Sequence, residues 1–126
     1  MGMATGDASM KLTDAEKTRR LAEGCMGWKY SPETEITWSY WDGPRGFMHL
    51  TLHWQPLHNE SHAAEVRERM RAKGWEVVIT YAKRREIASM SNKAVDIVRS
   101  GEHGAMMRLS AECALLAFGL AKEEEL

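Results

Sequence analysis

The chain has 126 residues, of which 17 are basic and 18 acidic, and its formal net charge is -1. This length is typical of one domain with a single hydrophobic core. The charge balance excludes a molecule whose whole surface attracts nucleic acid or an anionic membrane, so any polyanion would have to bind locally. With 44% hydrophobic residues and only 10 glycines and 3 prolines, the composition predicts a globular fold.

The two cysteines and the amino terminus indicate a protein that stays in the compartment where it is made. Cys25 and Cys113 lie far apart in apolar surroundings, which favours buried, reduced thiols over a disulfide. Residues 1–10 lack the basic segment and apolar stretch of a secretory signal, and we predict a disordered tail there, before a single domain over residues 11–126. No apolar run is long enough for a membrane-spanning helix, so we expect no membrane contact.

The first half of the chain predicts a helix followed by a hairpin. Thr13 and Glu16 have the spacing of a capping box, so a helix should run over residues 14–23 and end at Gly24. Large and small polar side chains alternate over residues 36–40 and again over 48–54, which predicts two antiparallel strands. Turn-forming residues connect them.

The second half predicts a helix, further strands and a closing helix. An amphipathic helix is expected over residues 61–73, and the β-branched and aromatic run that follows it predicts a strand. Residues 86–99 fit either a helix or strands, and we favour a strand near residues 94–99. A strongly apolar helix should span residues 109–121, followed by a solvated acidic tail. The predicted fold class is α+β, with a small, mainly antiparallel sheet covered by helices in an α/β/α sandwich.

Three segments resemble one known family. These are residues 21–29 (LAEGCMGWK), residues 54–59 (WQPLHN) with the helix after them, and residues 110–116 (SAECALL). In this order they are similar to the phage ABA sandwich domain family, small α/β/α proteins of phages and prophages. The resemblance implies a phage or prophage origin, a location in the host cytoplasm, and this fold. It implies no catalytic residue, because the family has no agreed active site.

Aromatic and basic residues of the hairpin form the main candidate ligand site. Aromatic faces can stack on a nucleotide base and a guanidinium can pair with a phosphate. The predicted ligand-binding residues are Trp38, Tyr40, Trp41, Arg45, His49, His53 and Arg84. Alternatively, the aromatic side chains fill the core or a subunit interface. Arg84 belongs to a basic run, residues 83–85, which could form a patch with the arginines of the preceding helix, although a solvated helix face is the simpler interpretation.

Four histidines lie close together in the sequence, at positions 49, 53, 58 and 62. Imidazoles that converge can hold a transition metal, and His58 and His62 would share a helix face if the second helix began early. However, a strand and a turn need not converge, and no cysteine joins the group. We therefore assign no metal and no cofactor.

The sequence contains no Gly-rich phosphate loop, nucleophile elbow or Cys-x-x-Cys pair, so we expect no enzyme. The leading hypothesis is a phage-encoded binding protein that counters host defence by sequestering a nucleotide-type immune signal. We expect a homo-oligomer, because so small a subunit has little room for a deep pocket, and no binding of a nucleic-acid polymer. The alternative is an interaction module that inhibits a host protein through a surface patch including Leu57, the basic helix and the hairpin tip. A metal-dependent hydrolase that uses the histidines is a third possibility.

Overall fold

A computed structural model describes residues 11–32, 38–42, 47–50 and 54–126, and the side chains of residues 11–29 and 54–126. The helices are α1 (Asp14–Arg20), which continues into a π-helical turn (Leu21–Cys25), α2 (Glu60–Ala72), α3 (Met106–Ala117) and a short 3-10 turn (Glu123–Glu125). The strands are β1 (Lys29–Pro32), β2 (Trp38–Asp42), β3 (Phe47–Leu50), β4 (Glu76–Tyr81), β5 (Glu86–Ser91) and β6 (Asp96–Gly101).

The first helix begins as predicted but ends differently. The Thr13 side chain accepts a hydrogen bond from the amide of Glu16 at 3.1 Å. The prediction that Gly24 ends the helix is wrong, because the π-helical turn carries the chain past it to Cys25. Gly24 is instead a point of close approach, since a Cβ there would lie 2.6 Å from Leu120 Cδ1. Gly27, with φ at +75°, adopts the left-handed conformation that redirects the chain.

Helix α2 confirms its prediction to within one residue. It starts after Asn59, whose side chain accepts a hydrogen bond from the amide of His62 at 3.1 Å. Its last residue is Ala72, and the chain leaves the helix through Gly74, where φ is +92° and a residue with a side chain would be strained. The chain then enters β4 directly.

The six strands form two antiparallel three-stranded sheets, ordered β1-β2-β3 and β4-β5-β6. The predicted hairpin is confirmed as the pairing of β2 with β3. The ambiguous residues 86–99 form β5 and the start of β6, so a helix there is wrong, and the favoured strand begins at Asp96. The side chain of Asn92 accepts hydrogen bonds from the amides of Ala94 and Val95, both at 2.8 Å, which makes residues 92–95 a turn.

Helices pack on one face of the second sheet. Val77, Ala88 and Met90 are buried in a core that α3 and α2 complete, whereas Val78 on the opposite face is 46% exposed. The alternation follows from the two-residue period of a strand. The α+β class and the mainly antiparallel sheet covered by helices are therefore confirmed. None of the described helices combines the length and apolar composition that a membrane crossing requires.

An aromatic contact joins the two ends of the segment that contains the first sheet. Trp28 precedes β1, Trp54 follows β3, and their rings meet edge to face with centroids 4.8 Å apart. Both side chains are buried in the same core as Leu21, Met70 and Leu115. This contact closes a 25-residue excursion of the chain, counted from 29 to 53, and anchors it to the helical layer.

The acidic tail is exposed at Glu123 and Glu124, in keeping with the predicted solvation, but it is also attached to the body of the protein. Glu123 pairs with Arg99 of β6, and Glu125 lies 3.7 Å from Arg20 of α1. The carbonyl of Glu125 also accepts a hydrogen bond from the amide of Leu12 at 2.8 Å. The carboxyl terminus therefore holds the start of α1 in place.

Candidate functional site

The hairpin keeps its predicted strand pairing. Trp38, Tyr40 and Trp41 lie on β2 and His49 on β3, with Tyr40 opposite His49 and Trp41 opposite Met48. Their side chains are not among those that the structure describes, and Arg45 and His53 lie outside the described residues altogether. The ligand-binding role of this group therefore stays a prediction.

The two described histidines of the four are directed to different partners. His58 Nε2 lies 2.8 Å from Asp14 Oδ2, and His62 Nδ1 accepts a hydrogen bond from the amide of Gln55 at 3.0 Å. Because α2 begins at Glu60, His58 precedes the helix, so the early start that a helix face shared with His62 would require is not observed. Within the described part of the chain, no group of three or more histidine, cysteine or acidic side chains is arranged to hold a metal ion.

A partly exposed charged group, which we call the Asp14 cluster, comprises Asp14, His58 and Arg108. The Arg108 guanidinium donates to both carboxylate oxygens of Asp14, at 3.0 and 2.8 Å. The pKa of Asp14 is lowered to about 2, mainly by the hydrogen bond from Arg108 and with a smaller contribution from His58, against an opposing effect of burial. Asp14 in turn raises the pKa of Arg108. Both oxygens of the Asp14 carboxylate are thus engaged by side chains of the protein itself.

A second group, the Glu112 cluster, lies deeper between the helices and β6. The buried Glu112 carboxylate accepts hydrogen bonds from Lys17 Nζ at 2.8 Å and from Arg99 Nε at 3.1 Å. Arg99 also pairs with Glu123, and Arg108 lies 3.9 Å from Glu112. Opposite charges therefore offset one another within the cluster, which suits a structural cross-link between elements better than the capture of an ion.

The arginines of α2 divide between the interior and the solvated face that the sequence favours. Arg69 and Arg71 are exposed, whereas Arg67 is buried. Arg67 is only 5% exposed and donates to Ser110 Oγ of α3 at 2.9 Å while pairing with Glu60. Arg69 donates to the carbonyl of Cys25 at 3.3 Å, and Arg71 pairs with Glu68. Arg67 and Arg69 therefore connect α2 to its neighbours, whereas the pair of Arg71 with Glu68 lies within the helix.

The turn between β4 and β5 carries cations that lack the internal partners of the α2 arginines. We call its residues Lys83, Arg84 and Arg85 the basic turn. They connect β4 to β5, and the amide of Ala82 closes the turn by donating to the carbonyl of Arg85 at 2.9 Å. All three side chains are exposed, and none forms an ion pair with another described residue. Tyr81, two residues before the turn, is 60% exposed. The turn therefore presents three cations beside an accessible aromatic ring.

The start of α3 lies next to the basic turn but is already occupied. Glu86, the residue after the turn, is buried and accepts hydrogen bonds from the amides of Gly104 and Met106, at 2.9 and 2.7 Å. The exposed His103 ring lies 3.5 Å from the same carboxylate. An anion that reached this end of the molecule would consequently meet the side chains of the turn and of His103, and not the helix amides.

Comparisons of the chain with models of protein families, with curated proteins and with solved structures found no match. The resemblance to the phage ABA sandwich domain family therefore stays a prediction. Of the residues predicted to bind ligand, Arg84 is the one whose surroundings the structure describes. Sequence reasoning missed Tyr81 and His103, and the only available signal was the position of Tyr81 two residues before the basic run.

Proposed function

We propose that this protein is a non-catalytic binding protein that holds a phosphate-bearing, nucleotide-type ligand at the basic turn. The observation that supports it is a contrast among the described arginines. Arg84 and Arg85 have no described acceptor, whereas every other described arginine donates to, or pairs with, a carboxylate or a carbonyl. A guanidinium group without an acceptor inside the protein is suited to bind an external anion such as phosphate, to which it can donate two parallel hydrogen bonds.

The placement of the basic turn suits a ligand that carries both phosphate and a base. Three like charges in one short turn repel each other, and a multivalent anion relieves that repulsion. The exposed Tyr81 ring offers a stacking surface, and stacking of a base on an aromatic side chain contributes about 1–3 kcal/mol. His103 adds a hydrogen-bonding group on the same side as Glu86. The sequence-predicted contacts from Trp38 to His53 remain candidates for further contacts with the same ligand.

In this proposal the physiological role is sequestration, in which a phage protein removes a host immune signal by tight binding without turnover. The alternative, direct inhibition of a host protein, relied on Leu57 and the basic helix as surface contacts. Leu57 is 3% exposed and belongs to the core, and Arg67 is buried. The alternative thereby loses Leu57 and Arg67, whereas Arg69 and Arg71 of the basic helix stay exposed. The hairpin tip, residues 43–46, lies outside the described residues.

Native mass spectrometry with a panel of cyclic dinucleotides, cyclic trinucleotides and cyclic ADP-ribose isomers tests the proposal. We expect an integral number of ligands per chain, released intact on denaturation. Arg84→Ala and Arg85→Ala should each weaken binding by about 10-fold or more, the size of a charge-assisted hydrogen bond.

Lys93→Ala is the matched control, because Lys93 is an exposed cation in the β5–β6 turn at the opposite end of the same sheet. It should leave binding unchanged. No mass shift across the panel, or an equal loss in the Lys93 variant, would refute the proposal and favour a protein partner.

A further inference from the structure

One face of the second sheet, which we call the outer face, points away from the helices. The register aligns Val78 of β4, Ser89 of β5 and Val98 of β6 in its central row. One flanking row contains Thr80, Ile87 and Ser100, and the other contains Glu76, Ser91 and Asp96. Val78 is 46% and Val98 is 58% exposed.

The composition of this face is unusual for a sheet surface that remains in water. Two of its three rows hold only β-branched side chains and serines, without a charged or long polar side chain. Solvent-facing strands normally carry charged residues, which discourage association. Small and β-branched side chains instead let a second sheet approach to about 10 Å, the usual spacing of packed sheets.

We propose that a second copy of this chain covers the outer face, sheet against sheet. Charge favours a second copy because the two ends of the face have opposite signs. Glu76 and Asp96 outnumber the exposed Lys93 at one end, and the three cations of the basic turn outnumber the exposed Glu102 at the other. A face with this asymmetry is complementary to itself when it is reversed end for end, as an isologous interface requires.

The charges also select the symmetry axis. A two-fold axis parallel to the strands would place like ends together, so that Glu76 faced Asp96 of the second copy and the two basic turns met. An axis in the interface plane but perpendicular to the strands exchanges the ends and brings acidic groups to the partner's basic turn, where they would compete with an anionic ligand. In that arrangement the axis runs along the central row, so Val78, Ser89 and Val98 each pack on the same residue of the second copy.

The size of the face sets the expected strength. Three strands about 4.8 Å apart and six residues long project a footprint of about 300 Å². The two copies together would contribute about 600 Å², which is less than the roughly 1,200–2,000 Å² of total surface that the two partners of a stable complex bury. The dimer should therefore be concentration-dependent, with a dissociation constant in the micromolar range or weaker. The basic turns of the two copies would lie at opposite ends of the assembly.

Sedimentation velocity of the full chain over concentrations from about 10 μM to 1 mM tests the proposal. The weight-average sedimentation coefficient should rise from the monomer toward the dimer value. Val98→Lys should raise the dissociation constant at least 10-fold, and Val78→Thr, which keeps the shape of the side chain, should raise it by a smaller factor. Val95→Thr is the matched control for Val78→Thr, because Val95 is exposed to a similar extent in the β5–β6 turn, lies outside the three rows and remains uncharged.

A charge exchange tests the orientation separately. Glu76→Lys should weaken the dimer, and adding Lys83→Glu and Arg85→Glu to it should restore most of the affinity. Far-UV circular dichroism and urea unfolding verify that each variant folds. A chain that stays monomeric throughout, an effect of Val95→Thr as large as that of Val78→Thr, or the absence of rescue would overturn the proposal; a monomer would leave the face to a different protein.

Discussion

Glu86, at the start of β5, caps helix α3 by accepting a hydrogen bond from the amide of Met106 at 2.7 Å and another from Gly104 at 2.9 Å. The residue at the helix's own N-cap position, Ala105, has no side chain that can do this. A strand residue 20 positions earlier therefore satisfies the free amides and places a negative charge at the positive end of the helix. The same contact explains why α3 starts at Met106, three residues before its predicted beginning.

Glu86→Ala should destabilise the protein by about 1–3 kcal/mol, because it leaves two amides at a buried helix end without an acceptor. Urea unfolding followed by circular dichroism measures the change. Glu102→Ala is the control, since Glu102 is exposed in the adjoining turn and its loss should cost less than about 0.5 kcal/mol. Equal effects of the two substitutions would contradict the capping role.

The Asp14 cluster should make stability depend on pH in the acid range. The pKa of Asp14 is lowered from 3.8 to about 2 by Arg108, so the folded state favours the ionised carboxylate. Its stabilisation is present above the unfolded pKa near 4 and is lost as the pH falls toward 2. Because the side chain is partly exposed, solvent screening limits the contribution to about 1 kcal/mol.

Urea unfolding of the parent protein and Asp14→Asn, measured between pH 6 and pH 2, tests this dependence. We expect the difference in unfolding free energy to shrink steadily below about pH 4. Glu124→Gln, which alters an exposed carboxylate of the 3-10 turn, serves as the reference for general charge effects. A difference for Asp14→Asn that did not vary with pH would rule out the ionised carboxylate as its source.

In the Glu112 cluster, removing Glu112 and removing Lys17 from their buried ion pair should lower the free energy of unfolding by different amounts. Glu112→Ala leaves Lys17 buried without a carboxylate and should cost about 3–5 kcal/mol. Lys17→Met should cost clearly less, because Arg99 still neutralises Glu112 and the new side chain has a similar length. Glu23→Ala, which removes the exposed pair with Arg19, should cost below about 1 kcal/mol. Thermal or urea unfolding that ranked Lys17→Met above Glu112→Ala would contradict this assignment.

Both cysteines should resist modification in the folded protein. Cys25 and Cys113 are buried free thiols, as predicted, and burial raises their pKa to about 11 and about 12. Since the thiolate is the reactive form, a disulfide reagent at neutral pH should react with neither thiol in the native state. It should modify both in urea. Rapid modification of a native thiol would show that its helix opens readily.

Local sequence patterns predicted most of the elements, because capping residues and hydrophobic periodicity act over a few neighbouring positions. Thr13 and Glu16 marked the start of α1, Gly74 marked the end of α2, and alternation marked the paired strands β2 and β3. The secondary structure of residues 86–99 could not be predicted in this way, because the spacing of their apolar residues fits both the helical and the strand period. The turn at Asn92, which decided between them, depends on two side-chain hydrogen bonds to the backbone.

By itself the sequence determined the α+β class, the buried thiols and the presence of an unbalanced basic run at residues 83–85. Only the tertiary structure decided which charged side chains form ion pairs or hydrogen bonds within the protein. Lys17 and Glu112 are 95 residues apart, and nothing local distinguishes Arg67, which is buried against Ser110, from Arg84, which is exposed. The reason is physical: a charge is satisfied by whichever partner the fold brings within hydrogen-bond distance, and that distance has no counterpart along the chain.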